Sequence, residues 1–298
     1  MLKRKRRTKK EVQSLMAGLY QLAEQLNPLT LRSLFYRAVS AGIIAKTEKE
    51  YNTAKRLTGE MRKAGIMPYY WLVDAGRFAR IASSWRSPDR ILKSAANNYR
   101  LDYWHTQPQQ LQIWTEKDAV VGMIEPITNK YQVPLYSCKG YASLTLIYNA
   151  VQDFIIGKPV CIRYFGDKDP SGEDIPRYIE ETMRDLNANA QHSGEEIDFE
   201  VVAVTDAQIK EYELPTRPTK PTDARSKNFT GESVELDAFD PNDLRKLVED
   251  AIKAEVDGEA WDEAEKQEKA DKKTLKQIVK DVTKKGKSNA KPKARIPH

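Results

Sequence analysis

Two cysteines and three histidines in 298 residues leave little from which to build a zinc site. His105, His192 and His298 form no cluster, which argues against a histidine-based nuclease. Cys138 and Cys161 lie in apolar surroundings outside any CxxC spacing, so both are expected to be reduced, buried thiols. No apolar run approaches the roughly 20 residues of a membrane span, so no membrane partner is expected. The opening MLKRKRRTKK lacks the hydrophobic segment that a secretion signal carries after its basic start, and a cytoplasmic location is expected. A glycine-rich ATP-binding motif is missing as well.

Charge is plentiful but unevenly spread. The net charge of +6 divides into +7 over residues 1–10, +6 over 11–110, −16 over 111–271 and +9 over 272–298. Basic arms and a basic first half suit a polyanionic partner through salt-sensitive attraction to phosphates, and DNA or RNA would satisfy them equally. Basic tails that serve solubility alone are the plain alternative.

Periodicity divides the chain into a 1–10 basic tail, a helical domain at 11–86, a connecting helix at 87–109, an alternating α/β domain at 110–260 and a Lys-rich tail at 261–298. From Glu11, three helices are expected. The first has Leu15, Leu19, Leu22 and Leu26 on one face, the second starts at the N-cap Thr30, and the third starts at Thr47 with Glu50 completing a capping pattern. MPYYWLVDAGR then reads as a short strand pair. That order is the order of a winged helix-turn-helix, with Lys49, Lys55, Arg56, Arg62 and Lys63 on its third helix as DNA contacts. A helical protein-interaction domain is the alternative. Ser87-Pro88 opens the connecting helix. From Gln110 the order strand, helix, strand, helix predicts a mainly parallel, Rossmann-like sheet with helices on its faces. The tail after Trp261 is poor in apolar residues and is expected to be disordered.

The stretch GDKDPSGEDI crowds Asp167, Asp169, Glu173 and Asp174 just past the strand PVCIRYF, and Glu116 follows the strand LQIWT. Like charges so close need a cation, a basic partner or water. Carboxylates at the carboxyl ends of two strands are hard oxygen ligands, which point to Mg²⁺ or Mn²⁺. Glu173 also suits the first turn of the following helix, where a carboxylate favours the dipole. Lys117 and Lys139 are candidates for phosphate contact or for neutralising the acids. Gly140 suits a tight turn, and Asp223, Arg225 and Asp237 are expected in structural ion pairs.

IWTEKDAV, CKGYASL and GDKDPSGEDI, in that order, resemble the three blocks of the TOPRIM domain in topoisomerase VI A subunits and the related meiotic double-strand-break transesterases. Arg32-Ser-Leu-Phe-Tyr36 resembles the tyrosine motif of the winged helix that precedes TOPRIM in that family. The likeness spans roughly residues 28–260. It departs at Ser33 and Ser143, where the family has acids, and at Ser171, where an aromatic is frequent; smaller phage- or plasmid-associated relatives are closer. The resemblance implies that Glu116, Asp167 and Asp169 hold Mg²⁺. It further implies that Tyr36, helped by Arg32, attacks a DNA phosphodiester to give a 5′-phosphotyrosyl link. A phenol ionises near pH 10, so a cation must favour its phenolate. The resemblance also implies a nucleoid-associated homodimer, in which one subunit's tyrosine meets the other's metal site, and a separate ATPase subunit. Two other readings stay open: a hydrolytic TOPRIM nuclease in which Tyr36 only packs, and a DNA-binding architectural protein without turnover.

Overall fold

The computed structural model describes residues 7–73, 83–189, 195–217 and 232–288. Asp223, Arg225 and most of the PTRPTKP stretch fall outside them. The chain forms two compact units, one of Met1–Phe78 with Gln109–Glu255, the other of Ala79–Pro108 with Val256–His298. The boundary expected between a separate helical domain and the α/β domain is therefore not where contacts divide the chain.

In the first unit, α1 (Lys9–Leu26), α2 (Leu31–Ser40) and α3 (Glu48–Lys63) pack on one another. Their starts are fixed locally. The Thr30 hydroxyl accepts from the Ser33 amide and the Thr47 hydroxyl from the Glu50 amide, satisfying amides that the first helical turn leaves without partners. Leu15, Leu19, Ala23 and Leu26 form the buried face of α1, with Leu34, Phe35, Ala38, Leu57 and Met61 buried from α2 and α3. Beyond α3 the chain makes a short 3-10 turn (Tyr69–Trp71) and one parallel bridge from Leu72 to Leu29. The strand pair expected over MPYYWLVDAGR is not formed as far as Val73, since Tyr69–Trp71 take the 3-10 turn; the Trp71 ring lies 5.1 Å from that of Tyr20. The rest of that stretch falls outside the described residues.

The α/β part holds β1 (Gln110–Thr115), α5 (Asp118–Lys130), β2 (Leu135–Ser137), α6 (Leu144–Gln152), β3 (Val160–Phe165), α7 (Pro170–Asn189), β4 (Ile197–Ala203), α8 (Asp206–Glu211) and α9 (Pro241–Ala254). α4 (Pro88–Asn98) belongs to the second unit. The four strands are all parallel in the order β2-β1-β3-β4, the α/β sheet expected from the alternating pattern. β1 and β3 are buried along their whole length, and Trp114, Ile162 and Tyr164 join Ile147, Ile179 and Met183 of the covering helices in one core. The first three helices attach to this part through arginines. Arg37 Nη2 donates to the Ala238 carbonyl at 2.6 Å, and Arg245 of α9 bonds the carbonyls of Met123 and Leu26 at 3.1 and 3.2 Å.

The second unit pairs α4 (Pro88–Asn98) with α10 (Gly258–Ser288). The segment expected to be a disordered tail is thus helical as far as Ser288, and α4 is its packing partner. Trp261 stands edge-on to Tyr103 and Trp104 at 4.7 and 6.2 Å. Glu268 accepts from the Leu101 amide and Asp271 from the Tyr99 hydroxyl, both at 2.9 Å. Glu265–Lys269 and Glu268–Lys272 add pairs one turn apart. Among the described residues, no helix is long and apolar enough to cross a membrane.

Candidate active site

Register places the acidic motifs side by side. Thr115 at the end of β1 pairs with Phe165 at the end of β3, so Glu116 and Asp167 leave neighbouring strand tips. The Asp167 amide donates to Glu116 Oε1 at 3.2 Å, and the buried Tyr164 hydroxyl donates to Glu116 Oε2 at 3.1 Å. Burial first, and then the Asp167 charge, raise Glu116 from its ordinary 4.5 to about 7. The turn after Asp167 is tight enough to require glycine: a Cβ on Gly172 would lie 1.9 Å from the Asp167 carbonyl oxygen, and one on Gly166 would lie 2.5 Å from the Tyr164 ring. Asp169 caps α7, its Oδ1 accepting from the amides of Ser171 and Gly172 at 2.9 and 2.7 Å, and Glu173 sits in the first turn of that helix.

The partner of the acids is Lys117. Its ammonium lies 3.2 Å from Asp167, 3.4 Å from Glu235 and 2.9 Å from Asp237. Glu235 and Asp237 reach this spot because the backbone of Lys168 bridges that of Val234 in both directions at 2.8 Å, and the Leu236 amide donates to Asp167 Oδ1 at 2.7 Å. The Asp237 side chain is wholly buried. Asp237 was expected in an ion pair and is in two, the second to Arg32 Nε at 3.0 Å.

Through Glu235 the network reaches the tyrosine. Arg32 Nη2 lies 2.5 Å from Glu235 Oε2 and donates to Tyr36 Oη at 3.4 Å, while Tyr36 Oη donates to Glu235 Oε2 at 3.2 Å. Arg217 also pairs with Glu235. Lys46 Nζ stands 5.5 Å from the centre of the Tyr36 ring. The structure thus brings Arg32, Tyr36, Lys117, Asp167, Glu235 and Asp237 of one chain together. Glu235 and Arg217 were not singled out in the sequence; the alternating acids of VELDAF were the only local sign of Glu235.

Glu116, Asp167 and Asp169 do not fit a shared Mg²⁺ or Mn²⁺ in this arrangement. Both oxygens of Glu116 and both of Asp167 already accept from protein donors, Asp169 is turned to its helix amides, and Lys117 brings the compensating charge. Among the described residues, no group of three or more His, Cys, Asp or Glu is arranged to hold a metal ion. Of the three expected ligands only Asp167 pairs with Lys117, whose other carboxylates are Glu235 and Asp237.

The remaining basic candidates separate. Lys139, at positive φ beside Gly140, pairs with Asp118 at 2.9 Å. Lys49, Lys55, Arg56 and Lys63 are exposed on α3 opposite the buried Ala54, Leu57 and Met61. Arg56 pairs with Glu60, and Arg62 lies over the ring of the exposed Tyr69, next to the exposed Tyr70. Burial pushes the Cys138 and Cys161 thiols up to about 12, which suits inert core residues. No family model matches the chain, and no curated protein matches it.

Proposed function

We propose that this chain binds DNA and cleaves its backbone by tyrosine transesterification, as its resemblance to topoisomerase VI A subunits implies, with the first three helices in the winged-helix role and the sheet in the TOPRIM role. One observation carries the reading: the Tyr36 hydroxyl is hydrogen-bonded to Glu235, and that carboxylate is held by Arg32 and Lys117 at the tips of β1 and β3. A packing tyrosine needs no carboxylate, whereas a nucleophilic phenol needs a base to take its proton.

In this reading Glu235 takes the Tyr36 proton and the phenolate oxygen bonds to phosphorus. The bond from phosphorus to the 3′ oxygen breaks, and that oxygen leaves with a proton from solvent. The product is a 5′-phosphotyrosyl link with no change of oxidation state. Arg32 lies beside the reacting oxygen, where a cation stabilises charge gathering on the phosphoryl group. The exposed basic face of α3, with Tyr69 and Tyr70 at its end, supplies backbone contact and surfaces for base stacking. Tyr36 reaches a carboxylate of its own chain, so the proton transfer in this chemistry does not call on a second subunit.

The test is incubation with end-labelled supercoiled DNA, with and without Mg²⁺ or Mn²⁺, followed by a denaturing gel. Protein-linked 5′ ends are expected from the wild type and none from Tyr36→Phe. A second reading draws on Glu116, whose raised pKa suits a base that activates water. On that reading Tyr36→Phe cuts as well as the wild type and leaves no protein on the ends.

A further inference from the structure

We infer that the cavity between α2 and the start of α3 is a subsite for one nucleotide of the strand that is cut, held by its phosphate on Lys46, next to the phosphodiester that Tyr36 attacks. The inference rests on the nucleic-acid reading above and adds to it a site, a ligand class and a residue outside the catalytic network.

The cavity has a volume of about 310 Å³ and is lined by Arg32, Phe35, Tyr36, Lys46, Thr47 and Tyr51. That is the lower end of the range for small-molecule sites and matches a single nucleotide, not a base pair. Its cations are in excess. Arg32 is committed to Glu235 and Asp237, but Lys46 has no carboxylate within ion-pair distance among the described residues; its ammonium lies 5.5 Å from the centre of the Tyr36 ring. Burial first, and then the charges of Arg217 and Arg32, lower its pKa, as expected for an ammonium in a positive field without a counter-ion. The Thr47 N-cap adds the start of a 16-residue helix, whose dipole favours an anion on the same side. The lining is also aromatic, Phe35 and Tyr51 meeting edge to face at 5.3 Å. A cation for a phosphate and rings for a base in one cavity describe a nucleotide. Glu48 also lines the cavity and works against an anion, so the phosphate belongs on the Lys46 and Arg32 side.

The experiment is calorimetric titration of the full chain with thymidine 5′-monophosphate, thymidine and inorganic phosphate. The monophosphate is expected to bind, and thymidine and phosphate to bind at least tenfold more weakly. Lys46→Met should weaken the monophosphate at least tenfold, Lys46→Arg should restore it, and Glu48→Gln should tighten it. Equal affinity in the wild type and Lys46→Met overturns the site, and phosphate binding as well as the monophosphate overturns its nucleotide character. The two readings fail separately. Lys46-dependent binding without a protein–DNA adduct leaves the subsite and removes the transesterase, and an adduct with Lys46-independent binding does the reverse.

Discussion

Glu116 is the residue whose chemistry departs furthest from its ordinary range among the strand-tip acids. The folded chain holds its proton up to about pH 7, whereas the unfolded chain releases it near 4.5, so the folded state binds more protons between those values. Stability from this group is therefore fullest below about pH 4.5 and falls as the pH rises through 7. Glu116→Gln should gain on the wild type by about 1–3 kcal/mol between pH 5 and pH 8 in chemical denaturation, a span set by the energy of a shift of this size. A constant difference across that range would remove the account of Glu116. At this scale the sequence was partly legible. Asp167 and Glu116 could be placed at strand ends because each follows an apolar run, whereas the pairing of those strands came only with the fold. Glu235 could not, because it joins them only through the bridge between Lys168 and Val234, a contact that no local pattern encodes. Of the acidic cluster, Asp167 finds its cation in Lys117, directly after Glu116, and Asp174 in Arg177.

Elements were most legible where a local device fixes them. Thr30, Thr47, Ser87-Pro88 and the alternation of the α/β half mark starts and periods that are complete within a few residues. The short α8 was missed, since six residues hold too little periodicity to show. α10 was misjudged for a different reason: its lysines suggested a solvated coil, while its order comes from Trp261, Glu268 and Asp271 meeting residues more than 150 positions earlier in the chain. Trp261→Ala should remove the edge-on ring contacts and cost the second unit about 2–4 kcal/mol, less than full loss of a buried tryptophan because Trp261 is only half-buried. Hydrogen exchange checks this directly. The amides of α10 should exchange faster in the variant while those of α3 keep their wild-type rates, and uniform behaviour would mean that α10 does not depend on this contact.

For the molecule as a whole, the dominant long-range property is the separation of charge along the chain, strongly basic over 1–10 and 272–298 and strongly acidic over 111–271. Such a distribution attracts phosphates at its basic stretches and makes association depend steeply on salt. On the proposed DNA binding, replacing the seven lysines and arginines of residues 1–10 with glutamine should reduce the slope of log affinity against log salt by up to about 6, the value for one released counter-ion per contact. An unchanged slope in a fluorescence anisotropy titration would show that this stretch does not touch the nucleic acid. The hydroxyl of Tyr36, its carboxylate partner and the surrounding cations all come from a single polypeptide. On the proposed chemistry each copy is then a self-sufficient cutter, and two copies working on one duplex would nick independently, leaving overhangs of scattered length instead of one fixed stagger.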